Sequence, residues 1–191
     1  KKIFELEDGE EVSREQRIIA KTINFSIIYG KTAFGLSKEL GITQKEATDY
    51  INRYFEQYPK VKDFEKSIIA YAEKNGYTET YFGRRRIIEG ILSKNKNIKN
   101  QAERMAVNSV IQGTAAEILK KVMIEIFKVI ENKEDISLLL QVHDELIFEI
   151  KEEKVEEYRT TIENIMRNSV KFDDVVLDIN TNIGKNWAET K

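Results

Sequence analysis

The chain has 191 residues and a mass of 22.3 kDa, with no cysteine, one histidine and one proline. Charged residues make up 34% and hydrophobic residues 41%, a balance too apolar for a disordered chain and too charged for a membrane bundle. The absence of cysteine excludes a disulfide scaffold, a thiolate zinc site and a cysteine nucleophile, and a single histidine excludes any site that needs two imidazoles.

The first predicted element is a helix over residues 14–29, opened by Ser13 with Gln16 as its capping-box partner and stopped by Gly30. A short helix over 36–40 closes at Gly41. Thr43, with Glu46 three residues on, caps a third helix carrying Ala47, Tyr50, Ile51, Tyr54 and Phe55 at helical spacing, ending near Tyr58 and Pro59. A fourth over 61–74 ends at Gly76. Residues 77–82 are strand-prone and meet a turn at Gly83, and 93–97 are polar enough for a loop. A long helix covers about 98–130. The apolar runs 136–142 and 146–150, separated by His143, Asp144 and Glu145, predict a hairpin with an acidic tip. A charged amphipathic helix over 152–170 follows, and strict alternation over 175–183 predicts a strand with one polar face. The expected class is therefore α+β: a helical first part, then a second part with long helices and a small antiparallel sheet of about three strands. The boundary is expected near Asn75 and Gly76.

The net charge of −2 hides an asymmetry. Residues 84–104 hold seven basic and two acidic side chains, and residues 131–178 hold fourteen acidic and six basic. One stretch suits a polyanion and the other a cation, although two solvated faces of one globule would look the same. Residues 1–13 contain no targeting-type apolar run, and no window reaches membrane-spanning length, so no membrane partner is expected. The chain begins without methionine and reads as a piece of something longer.

Four constellations carry chemistry. Arg17, Lys21, Phe25 and Tyr29 recur every four residues, so they stay on one side of the first helix. A guanidinium and an ammonium one turn apart can grip a polyphosphate, and an aromatic next in line can stack on a sugar or base. The alternative is a surface stripe with Phe25 and Ile28 turned into the core. Arg104, Asn108 and Gln112 form a second row at the same spacing. Such donors suit the minor groove, whose purine N3 and pyrimidine O2 acceptors are present whatever the sequence; the alternative is an ordinary wet helix face. Asp144 and Glu145 at the hairpin tip could bind a hard cation, magnesium or manganese rather than zinc, or simply form a solvated turn. Arg84, Arg85 and Arg86 after Gly83, with Lys94, Lys96 and Lys99, are a phosphate-seeking cluster or a solvated basic loop.

Together these segments resemble the C-terminal fingers and palm part of a bacterial family A DNA polymerase. The resemblance rests on Arg17, Lys21, Phe25, Tyr29 and Gly30 around the run 21–25; on the run 103–108 leading to 112–116; on the run 141–146; and on Gly184, Lys185, Asn186 and Trp187 near the end. It implies a fingers subdomain over 1–75, the C-terminal part of a palm over 76–191, and DNA-directed DNA polymerase activity in DNA replication and repair. It implies that Arg17 and Lys21 bind the incoming deoxynucleoside triphosphate, with Lys21 also a proton donor to departing pyrophosphate. Phe25 is expected on the nucleotide sugar, where phenylalanine goes with rejection of dideoxynucleotides, and Tyr29 beside the nascent base pair. Gly30, Arg84, Arg85, Arg104, Asn108, Gln112 and His143 are expected to contact primer-template DNA. Asp144, supported by Glu145, is expected to hold catalytic magnesium in a two-metal site.

The family's other carboxylate motif, its thumb and an upstream triphosphate-binding histidine are expected to precede Lys1. These 191 residues alone are therefore expected to be inactive and to self-associate through exposed palm surface. The implied location is the bacterial cytoplasm, at the nucleoid. The rival expectation is a nucleic-acid-binding module without catalysis, a truncated decoy.

Overall fold

The computed structural model describes residues 11–173 and 175–190. The chain divides between Thr114 and Ala115 into two compact units, Lys1–Thr114 and Ala115–Lys191. Among the described residues no helix is long and apolar enough to cross a membrane.

In the first unit, α1 spans Arg14–Ile28 and has the expected capping box, with Ser13 Oγ accepting from the Gln16 N–H and the Gln16 side chain accepting from the Ser13 N–H. Helix α2 spans Ala33–Leu40, longer than its apolar pattern indicates, because Thr32 caps it through the Gly35 N–H. Helix α3 spans Gln44–Gln57 behind the Thr43–Glu46 capping box. Helix α4, Pro59–Asn75, starts earlier than expected: proline in the first turn lacks only an N–H that the helix would leave unpaired there.

Ile19, Ile23 and Ile27 turn α1 towards Leu36, Ala47 and Tyr54, with Ile23 and Leu36 fully buried. This apolar row is offset by two residues, about 200°, from Arg17, Lys21, Phe25 and Tyr29, which therefore face away from that core. Phe25 is 51% exposed, so it is not a core residue of the first unit.

Strand β1, Tyr77–Glu79, pairs antiparallel with β2, Arg85–Ile87. The second strand was not expected, because its charged residues read as a loop. A cluster of Ala72, Ile88, Ile91, Ala102 and Ala106 packs the end of α4 and the segment after β2 against the start of α5. That cluster packs residues from either side of position 75 together, and the two compact units meet in sequence inside α5, a 35-residue helix over Lys96–Ile130.

In the second unit, Val122, Ile126 and Ile130 on α5 pack with Ile136, Tyr158 and Ile162. The expected hairpin forms: β3, Ile136–Val142, pairs with β4, Glu145–Ile150, with an irregularity between Leu138 and Leu140. A 3-10 turn over Glu152–Lys154 precedes α6, Val155–Asn168.

The strand expected over 175–183 does not form in the described residues. Its polar positions bond to α6 instead: Arg167 pairs with Asp178, and Thr181 Oγ1 donates to Glu163 at 2.6 Å. Alternation alone supplies no backbone partner, and a strand needs one. The sheets of the described residues are therefore two separate hairpins rather than one of three strands.

Candidate nucleotide and nucleic-acid interface

The outward row of α1 builds one side of a cleft of about 340 Å³ lined by Ile18, Lys21, Thr22, Phe25, Ser26, Tyr29, Lys31 and Glu39. Phe25 and Tyr29 stack there, with ring centroids 6.1 Å apart and planes 14° from parallel. The cleft thus offers an ammonium and an exposed aromatic surface side by side. Arg17 lies exposed on the same row, one turn before Lys21.

Lys31 and Glu39 were not singled out from the sequence. Lys31 Nζ donates to Glu39 Oε2 at 2.8 Å, and Ser26 Oγ donates to the same oxygen at 3.0 Å. The Lys31 hydrogen bond, helped by Ser26, holds the Glu39 carboxyl below the usual carboxylate range. No periodic pattern links these three positions, so only the tertiary structure brings them together. Asn24 is fixed from behind by the Tyr54 hydroxyl at 2.9 Å, a contact between α1 and α3 that pattern reading could not supply.

A second cleft of about 420 Å³ is lined by Tyr29, Arg86, Gln101, Arg104, Met105, Asn108 and Gln112. The α1 row and the α5 row, distant in sequence, therefore meet at Tyr29. Their junction is close. Gly30 has φ +65°, and a Cβ there would lie 2.6 Å from Arg104 Cγ. Asn108 Nδ2 donates to the Tyr29 carbonyl at 3.4 Å. Glycine at position 30 is thus demanded by the left-handed backbone and by the arginine beside it.

The basic residues after Gly83 do not behave alike. Arg85 Nε donates to Glu79 Oε1 at 2.7 Å across the β1–β2 pair, and its guanidinium lies 4.7 Å from the Tyr77 ring centroid. Glu79 also raises the arginine's pKa. Tyr71, hydrogen-bonded to Tyr77 and partly desolvated, is pushed up to about 12. The turn before Arg84 is fastened to α5, because the Tyr81 N–H donates to Thr114 Oγ1 at 2.9 Å and Gly113 leaves room for Thr80. Lys99 pairs with Glu73 at 2.7 Å and so ties α5 to α4.

The hairpin tip belongs to the second unit. Val142 pairs with Glu145, so His143 and Asp144 alone form the connection. His143 has φ 54°, the one positive value at a non-glycine among the described residues. Tight hairpins favour glycine or asparagine at such positions. The turn is braced by Gln141 Nε2, which donates to the His143 carbonyl at 2.7 Å. His143, Asp144 and Glu145 are all exposed. Among the described residues no group of three or more His, Asp or Glu side chains could hold a metal ion. The two tip carboxylates by themselves therefore do not amount to a two-metal site.

Comparisons with known proteins show the family. The family model described as DNA polymerase family A matches residues 1–189. The chain belongs to that family. It is 41% identical over 191 residues to DNA polymerase I of Lactococcus lactis subsp. cremoris, covering 100% of this chain and 22% of that protein. It is 43% identical over 181 residues to DNA polymerase I of Pseudomonas aeruginosa, covering 94% of this chain and 20% of that one. Among solved structures it is similar to the POL domain of Pol1 from M. smegmatis in complex with DNA primer-template and dNTP. That similarity has a TM-score of 0.91 and 34% identity, and it covers 99% of this chain and 33% of the other. The chain spans about a fifth of the length of the curated family A relatives it matches.

Proposed function

We propose that this chain serves template-directed DNA synthesis as the fingers and C-terminal palm part of a DNA polymerase I-type enzyme. The observation that carries the reading is the meeting of the two rows at Tyr29: a cation–aromatic face and a guanidinium–amide face share one residue. The similarity to a polymerase domain bound to primer-template and dNTP supports the same ligands here.

In this reading the subdomains are residues 1–75 and 76–191. Arg17 and Lys21 hold the triphosphate, the first as a fork and the second as a point charge. Phe25 packs on the sugar and Tyr29 on the nascent pair. Arg104, Asn108 and Gln112 follow the minor groove near the primer end, where donors meet acceptors common to all base pairs. Attack of the primer 3′-hydroxyl on the α-phosphate forms the new phosphodiester and releases pyrophosphate. In this role Lys21 balances the departing charge and gives up its proton.

Asp144, with Glu145, contributes carboxylates towards divalent cations, magnesium by preference of oxygen ligands. A pair of divalent cations would need more compensating charge than these two carboxylates supply. The 191 residues by themselves are therefore expected to lack turnover. The site of action is the nucleoid of a bacterial cytoplasm. Ile124, Phe127, Leu139 and Leu140 of the second unit, each about half exposed, are the surface through which the isolated chain would self-associate.

Primer extension tests the reading. The full-length protein containing this chain should extend a primer as the template dictates, while the 191 residues alone should not. Failure of the full-length protein to incorporate any nucleotide, with DNA binding retained, would favour the non-catalytic module. Templated incorporation by the 191 residues would overturn their expected inactivity.

A further inference from the structure

We infer that Arg86 is a phosphate-contacting residue of the α5 cleft, and that its neighbour Arg85 is a strut of the β1–β2 hairpin rather than a ligand contact. The inference rests on the nucleic-acid reading above and adds to it which arginine of the 84–86 cluster serves the ligand and which the fold.

The register separates the two arginines. Glu79 is the cross-strand partner of Arg85, and Thr78 is the partner of Arg86. Successive strand residues project to opposite faces of a sheet. On one face Arg85 meets the Glu79 carboxylate at 2.7 Å and covers the Tyr77 ring. A guanidinium holding a carboxylate in this way has its charge already compensated. On the other face lies Thr78, which is buried, and Arg86 lines the cleft of Tyr29, Gln101, Arg104, Asn108 and Gln112.

The composition of that cleft points to its ligand. It holds two guanidiniums and three side-chain amides, and no carboxylate lines it. A groove of one sign beside an aromatic attracts a polyanion, and a nucleic-acid strand is a polyanion whose phosphates recur along its length. Arg104 belongs to the minor-groove row. Arg86 enters the same cleft from a strand, not from α5, and so can reach the sugar–phosphate edge beside that row. Contacts of that kind fix register without reading sequence.

The test measures binding of the full-length protein containing this chain to a fluorescently labelled primer-template, over a series of potassium chloride concentrations. Arg86→Ala should weaken binding alike for unrelated sequences, and it should make the slope of log affinity against log salt shallower by about 0.9, the share of one phosphate. Arg86→Lys, which restores the charge, should recover most of that slope. Arg85→Ala should leave the slope unchanged and lower the melting temperature instead, because it removes the Glu79 contact. An unchanged slope in a folded Arg86→Ala protein would overturn the assignment, as would a reduced slope in Arg85→Ala alone. Absence of any primer-template affinity in the unaltered protein would overturn the nucleic-acid reading itself and the Arg86 assignment with it. The two failures are therefore distinguishable.

Discussion

Gly30 and His143 have similar left-handed backbone angles, φ 65° and 54°, in two regions with opposite logic. At the end of α1 the residue is glycine, and the packing explains it, since a Cβ would run into Arg104. At the hairpin tip the residue is histidine, against the local preference, and the turn is exposed. Backbone strain that packing does not require is characteristic of functional turns. The first region is thus a face whose parts hold one another in place. The second presents a histidine and a carboxylate on a strained turn, braced by Gln141.

The largest expected effect separates the two regions by chemistry. Asp144→Ala in the full-length protein should lower turnover at least about 1,000-fold, because the divalent cation this carboxylate would help to hold supplies several kcal/mol at a reacting phosphate and each 1.36 kcal/mol is a factor of ten. Primer-template affinity should change little, since the clefts that would bind it lie in the first unit. Single-turnover incorporation and equilibrium binding measure the two quantities separately. Retained turnover would remove Asp144 from the chemistry.

Next in size is Gly30→Ala. The left-handed conformation alone costs a non-glycine roughly 1–2 kcal/mol, and the displaced Arg104 side chain adds to it. A fall of several degrees in melting temperature should accompany weaker DNA binding. A neutral outcome would mean that Arg104 moves aside freely and that the junction at Tyr29 is loose. The converse change, His143→Gly, should relieve strain and raise stability by up to about 1 kcal/mol while lowering activity. Stability gained without loss of activity would make the tip an ordinary turn.

The parts of the molecule that were legible in the sequence are those set by local rules. Ser13 and Gln16, Thr43 and Glu46, and Gly76 fixed the ends of helices, and period-four spacing placed Arg17 to Tyr29 and Arg104 to Gln112 on single faces. The sharing of Tyr29 between the two rows was not legible, because it depends on how α1 ends against α5. Strand β2 was missed because three charged or branched residues form a strand only through partners, here the Glu79–Arg85 pair and the Tyr77 ring. Residues 175–183 failed in the opposite sense: their alternation was real, but α6 side chains took the polar groups.

The smallest expected effect concerns the foot of the tip hairpin, where no residue has a positive φ. The Tyr158 hydroxyl donates to Asp135 Oδ1 at 2.7 Å, just before β3 begins. That hydrogen bond holds the Asp135 carboxyl below its ordinary value of 3.8, and the facing carboxylate pushes Tyr158 up to about 12. A lowered carboxyl contributes stability that is whole above 3.8 and disappears as the pH falls through the folded value. A raised phenol contributes in full below about 10 and loses its share as the pH rises from there through about 12. Tyr158→Phe keeps the ring in the core of Val122, Ile126 and Ile162 and removes only the hydroxyl. Denaturant unfolding of wild type and Tyr158→Phe should therefore differ by a constant amount from about pH 5 to pH 9 and converge in acid, below the range where Asp135 is ionised. A difference that stays constant into strong acid would show that the hydroxyl does not act through the Asp135 charge. The foot would then be held by a hydroxyl contact that needs no ionised partner, and the contrast with the strained tip would rest on the backbone of His143.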